Sequence, residues 1–229
     1  MDVRPREEPA IEVETGPRPS ASVIWLHGLG ADGHDFEAII PELRLPAKPV
    51  LRFVFPHAPY RPVTINGGSV MRAWYDIAMS ERGFEQNIEH IRESEKIMQG
   101  LIENEIQRGI ASERIVLAGF SQGGAIALQT GLRYARSLAG IMSLSAPVPF
   151  AESLMAEVDP ANAKVPIFMA HGTDDRMIPF DLAQHAHSRM EARGLDLEWH
   201  TYAMGHTVAP DEIRDIARWL ERILGDKDA

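Results

Sequence analysis

Residues 117–130 read LAGFSQGGAIALQT, an apolar run that passes through Gly119, Ser121, Gly123 and Gly124 into a helical pattern. Ile115, Val116 and Leu117 suit a buried strand, and AIALQTGLRY (125–134) suits a helix. A hydroxyl held between glycines at a strand's end has two readings. Ser121 could cap the helix, as serine often does. Alternatively, G-x-S-x-G marks a strained strand-to-helix turn that pushes a nucleophilic serine into the open, with the flanking glycines keeping other atoms away from it. The order strand, motif, helix favours the second.

Outward from this stretch the same alternation repeats. SVIWLHG (22–28), VLRFVFPHAP (50–59), LAGIMSLSA (138–146), VPIFMAHG (165–172) and LEWHTYA (197–203) read as strands. Helices are predicted over DFEAIIPEL (35–43), over a stripe of Ile88, Ile91, Met98, Ile102 and Ile106 that Gly109 can cap, over 183–194 and over 211–224. Residues 60–84 show no clean period and read as a long loop. Strands apolar along their whole length, alternating with helices, indicate a mostly parallel α/β sheet covered on both faces. Residues 1–20 are expected to be a flexible segment, although AIEVE (10–14) could add an edge strand, and residues 21–229 to form a single domain.

A nucleophilic serine requires a base, and the base an orienting acid. On such a sheet the chain order is serine, acid, histidine, each just past a strand's carboxyl end. HGTDD after the strand at 165–172 supplies Asp174 and Asp175, between which spacing does not decide. MGH after 197–203 supplies His206. The oxyanion of a tetrahedral intermediate needs amide donors, expected from Gln122, which follows the serine, and from Leu29 in HGLGADG (27–33).

GLGADG also spells G-x-G-x-x-G (Gly28, Gly30, Gly33), but the acid of a dinucleotide site is missing where the next strand ends in FVFPHAP. His185 and His187 lie two apart on a helix and face different ways, so no metal is expected and no cofactor is implied. His27 and His171, each before a glycine, read as holders of loop backbone. Cysteine is absent, which excludes a thiol nucleophile and disulfides and fits a reducing, cytoplasmic location. A formal net charge of −10 argues against nucleic-acid binding, and no apolar run is long enough for stable membrane insertion. Arg214, Arg218 and Arg222 beside Asp211 and Asp215 read as a solvated helix face, and Trp219 as a candidate contact for a homodimer.

HGLGADGHDF, FPHAPYRPVTINGG, Trp74-Tyr75-Asp76, GFSQGGAIAL, HGTDDRMIP and GHTVAPDEI together resemble the phospholipase/carboxylesterase family of small α/β-hydrolases, relatives of acyl-protein thioesterases and lysophospholipases. The resemblance spans roughly residues 22 to 224 and implies an α/β-hydrolase fold without a large lid domain. It implies Ser121 as nucleophile, Asp175 as acid, His206 as base, Leu29 and Gln122 as the oxyanion hole, and Trp74 with Leu29 as substrate-binding walls. Met71-Arg72-Ala73-Trp74 resembles the bacterial esterase branch. The expected activity is therefore hydrolysis of short- to medium-chain carboxylic esters, small-molecule substrates, through an acyl-enzyme. An acyl-protein thioesterase or lysophospholipase with the same triad is the alternative, and a non-catalytic binding module on the same fold a more distant one.

Overall fold

A computed structural model describes residues 8–81 and 83–225. Strands β1 (Ile11–Glu14) and β2 (Ala21–Leu26), the short helix α1 (Ile39–Leu43) and strand β3 (Leu51–Phe55) open the chain. Two hairpins follow, β4 (Tyr60–Val63) with β5 (Ser69–Arg72) and β6 (Ile77–Ser80) with β7 (Gly83–Gln86). Then come α2 (Ile88–Gln107), β8 (Ile115–Phe120), α3 (Gln122–Arg133), β9 (Gly140–Leu144) and α4 (Ala151–Ala156). Strand β10 (Ile167–Gly172), α5 (Phe180–Ala192), β11 (Leu197–Tyr202) and α6 (Pro210–Leu224) close the fold.

The main sheet has seven strands in the order β1-β3-β2-β8-β9-β10-β11. Only β1 runs antiparallel, against β3; every other neighbouring pair is parallel. Alternation along β2 feeds two cores. Ile24 and Leu26 join Ile91, Met98, Ile102 and Ile126 on one face, and Val23 and Trp25 join Phe53, Phe168, Trp219 and Leu220 on the other. The carboxyl ends of β2, β8, β10 and β11 therefore open on one edge, where an open α/β sheet binds its ligand. Among the described residues no helix is long and apolar enough to cross a membrane.

The AIEVE stretch, read as a possible edge strand, supplies β1, anchored because the buried Arg52 of β3 pairs with Glu12 and Glu14; residues 1–7 lie outside the described residues. Three expectations need correction. The helix over 35–43 is cut to Ile39–Leu43, preceded by i→i−3 turns such as Glu37 N–H to His34 O (3.3 Å), because Pro41 has no N–H to return to Glu37. In place of the loop expected over 60–84, residues 60–63 pair with 69–72 and residues 77–80 with 83–86; the inward positions of β4 are Arg61 and Val63, and the arginine broke the alternation of apolar residues. Trp219 is 1% exposed, lies 5.8 Å from Phe168 and fills the space beside Gly140, so it belongs to the core and offers nothing to a second copy.

Helix α6 begins with a buried carboxylate. Glu212 is fully buried; its Oε2 accepts the Ala209 N–H (3.2 Å), and Oε1 has no partner among the described residues. Burial, with Asp215 nearby, pushes its carboxyl up to about 7. A carboxyl raised above its unfolded value binds its proton more tightly when folded. Its charge is thus a cost that grows as pH rises from about 4.5 through 7. Glutamine keeps the acceptor and removes the charge. Glu212→Gln is expected to melt above the wild type at pH 8, by an amount on the order of 2–3 kcal/mol, with the gap closing near pH 5. Equal melting differences at both pH values would contradict this assignment.

Candidate active site

Ser121 stands between β8 and α3 with φ 55° and ψ −121°, a strained backbone that costs on the order of 1–3 kcal/mol in a non-glycine residue. Steric space explains the glycines. A Cβ on Gly119 would lie 2.2 Å from the carbonyl carbon of Gly123, and one on Gly123 would lie 2.3 Å from Leu26 O at the end of β2. The turn can close only if both positions are bare. Gly119→Ala is expected to destabilise the protein by about 1–3 kcal/mol, read from the denaturant midpoint. Gly100→Ala in α2, where an added Cβ meets nothing within 4 Å, is expected to stabilise it by roughly 0.5–1 kcal/mol. Similar shifts in the two variants would count against this steric account.

Three side chains meet above that turn. His206, in the segment between β11 and α6, places Nε2 3.0 Å from Ser121 Oγ and Nδ1 2.8 Å from Asp175 Oδ2. Asp175 follows β10 and its side chain is fully buried. Its Oδ1 accepts the Met177 N–H (2.8 Å) and the Ile178 N–H (2.9 Å), so the carboxylate is held by its own turn. Asp174 is exposed; its N–H donates to Met204 O (3.1 Å), tying this turn to the segment that carries His206, and its side chain accepts only from neighbouring Thr173 among the described residues. Of the two aspartates that spacing left open, Asp175 is the one whose side chain meets His206. Gly172 is bare because a Cβ there would lie 2.3 Å from Met204 O.

Gln122 follows Ser121 in the chain, and Gly28, just before Leu29, lies close enough that an added Cβ would sit 3.5 Å from Ser121 Cβ; among the described residues neither the Leu29 nor the Gln122 N–H is taken by a protein acceptor. His27 supports the first of them. Its Nε2 accepts the Ala58 N–H (3.0 Å), which leaves the proton on Nδ1 to donate to Gly28 O (2.7 Å). Burial pushes His27 down to about 4, so the ring is neutral at pH 7. His171, also pushed down by burial, donates from Nε2 to Ile178 O (2.9 Å) behind the acid. Both histidines hold loop backbone, as expected. The ring of Phe120 packs 4.8 Å from that of His206 and backs the base.

Trp74 is not a wall. It is 1% exposed, and its indole N–H donates to His27 O (2.9 Å). Leu29 is half-buried, and Met177 and Phe150, in the segments after β10 and β9, are exposed. The Gln122 carboxamide was missed by the sequence reading, which used only its backbone; no spacing rule marks it. Among the described residues no group of three His, Asp or Glu side chains could hold a metal ion.

Comparison with known proteins identifies the family. The phospholipase/carboxylesterase family model matches residues 7–224. Acyl-protein thioesterase 1 of Gibberella zeae is 35% identical over 218 residues, 91% of this chain and 93% of that protein. Acyl-protein thioesterase 1 of Yarrowia lipolytica is 36% identical over 218 residues, 93% of this chain and 96% of that protein. Carboxylesterase SOBER1 of Arabidopsis thaliana is 35% identical over 205 residues, 88% of this chain and 90% of that protein. The crystal structure of SOBER1 superposes with a TM-score of 0.82 at 34% identity, covering 89% of this chain and 99% of its own. The chain belongs to the phospholipase/carboxylesterase family of α/β-hydrolases and is a carboxylic ester hydrolase.

Proposed function

We propose that the protein hydrolyses acyl thioesters as well as oxygen esters through an acyl-enzyme on Ser121. The observation that carries this reading is the continuous hydrogen-bonded line from Asp175 through His206 to the Ser121 hydroxyl. His206 Nε2 takes the hydroxyl proton as Oγ attacks the acyl carbon, and the Leu29 and Gln122 amides stabilise the oxyanion. The C–S or C–O bond breaks, and the leaving thiol or alcohol departs with the proton from His206. Water then attacks the acyl-serine with His206 again as base, releasing the acid and restoring Ser121. Asp175 holds the tautomer and stabilises the imidazolium.

The relatives move the substrate class away from simple short-chain esters. Those quoted include two acyl-protein thioesterases, and their likeness covers nearly the whole chain. The Arg72-Ala73 pair, which resembles the esterase branch, does not argue the other way. Arg72 is spent on structure, donating to Ala58 O (2.8 Å) and lying 4.4 Å above the Tyr60 ring, and Ala73 is buried.

Matched thioester and ester substrates with acyl chains from acetyl to palmitoyl, together with an S-acylated peptide and a lysophospholipid, test the proposal. Turnover of the thioesters at a kcat/KM equal to or above that of the matched esters supports it. Turnover of short esters alone would return the protein to the carboxylesterase reading.

A further inference from the structure

The two amides offered to the oxyanion come from segments far apart in the chain, and a polar chain of buried side chains joins them. Gln122 is 4% exposed, and its carboxamide bonds to two successive residues of the segment after β5. Oε1 accepts the Trp74 N–H (3.1 Å) and Nε2 donates to Tyr75 O (2.9 Å). Turning the amide over would lose both bonds, so only one orientation fits. Trp74 is held in turn. Its carbonyl accepts Ser94 Oγ–H from α2 (2.5 Å), and its indole N–H donates to His27 O (2.9 Å) at the end of β2. His27 then fixes the next peptide, because its Nδ1–H grips Gly28 O (2.7 Å). In a trans peptide C=O and N–H point in opposite directions, so pinning Gly28 O aims the Leu29 N–H away from the His27 ring.

We infer that Gln122, Trp74 and His27 form a brace that sets the spacing of the Leu29 and Gln122 amides. They are positioning residues, and the inference rests on the serine-hydrolase reading above. The brace has a mechanical reason. Ser121 is held at φ 55°, and rotation of the Gln122 peptide would relieve that strain while swinging its N–H off the oxyanion. A tether at the Gln122 side chain opposes that rotation. A second tether, Gly30 N–H to Arg72 O (2.9 Å), ties the Leu29 loop to β5, just before Trp74. Each member is buried and satisfied, so loosening one link shifts the next.

The test uses the full chain as wild type, Gln122→Met, Trp74→Phe and the double variant. Gln122→Met keeps the length and removes both bonds; Trp74→Phe keeps an aromatic ring and removes only the indole N–H. Complete labelling with a fluorophosphonate first counts the active serines, so that kcat is expressed per reactive site and misfolded protein drops out. A trifluoromethyl ketone, whose serine adduct carries an oxyanion, then reports on the amides directly. Gln122→Met is expected to lose about 30- to 100-fold in kcat per site with KM within about twofold, and Trp74→Phe about 5- to 10-fold. Ketone affinity should fall by the same factors. The double variant should lose less than the product of the single losses, because both act through one path. Should Gln122→Met fail to fold, Trp74→Phe carries the test alone. Unchanged kcat per site, or a kcat loss with undiminished ketone affinity, would overturn the brace while leaving the hydrolase reading intact. A wild type that takes up no fluorophosphonate would overturn that reading, and the brace with it.

Discussion

Ser121→Ala is expected to lower kcat by at least about 10⁴-fold while leaving the melting temperature at or above that of the wild type. The two halves of this expectation have different causes. On the proposed mechanism the hydroxyl forms the acyl-enzyme, and among the described residues Ser121 Oγ is the side-chain group bonded to His206 Nε2. Residual rate then comes only from the amides and the bound substrate's orientation. Stability should not suffer, because Ser121 is only part-buried and, among the described residues, its Oγ bonds only to the part-exposed His206. The φ of 55° stays strained for alanine too, so the strain term cancels in the comparison. A kcat loss of less than about 100-fold, measured on the preferred substrate, would mean that another group attacks the ester.

Asp175→Asn is expected to cost on the order of 10³- to 10⁴-fold in kcat, against less than about twofold for Asp174→Asn. The reason is a forced tautomer. Oδ1 of Asp175 is claimed by the Met177 and Ile178 N–H groups, so the oxygen of an asparagine must stay there. Its NH₂ is then turned toward His206 Nδ1, where Asp175 Oδ2 now sits at 2.8 Å. Nδ1 must accept that hydrogen bond, which puts the ring proton on Nε2, facing Ser121. A protonated Nε2 cannot take the hydroxyl proton. Asp174 is exposed, and among the described residues its tie to the segment carrying His206 is its backbone N–H to Met204 O, which asparagine leaves unchanged. Kinetic assays of both variants on one substrate decide the matter; a larger loss at Asp174 would reverse the assignment of the acid.

The sequence disclosed those parts of the site that are set by steric rules. G-x-S-x-G is readable because bare positions at Gly119 and Gly123 are what the turn needs, whatever surrounds it. His206 was readable because it follows a strand on the same edge. Spacing did not separate Asp174 from Asp175, and only the resemblance pointed to Asp175, since two adjacent carboxylates differ only in which one the following turn captures. That depends on where the Met177 and Ile178 amides point. Trp74 misled for a related reason. A tryptophan near a site suggests an apolar wall, but its position is decided by an indole N–H that found the buried carbonyl of His27.

Larger elements were lost where one residue overrides the period. Arg61 takes an inward position of β4 because its guanidinium reaches Ala73 O (2.9 Å), so a real strand looked aperiodic. Pro41 removed most of a helix whose apolar spacing was otherwise sound. Trp219 lies one position before Leu220 and widens the stripe of α6 into a broad buried face, where a narrow stripe would have left it outside.

The central claim is that Ser121 is a nucleophile activated by His206, and intact mass after treatment with a fluorophosphonate tests it most directly. The wild type is expected to gain one phosphonyl adduct, Ser121→Ala none, and His206→Ala none on the same timescale. An adduct that persists on Ser121→Ala, or a folded wild type that gains none, would contradict the account.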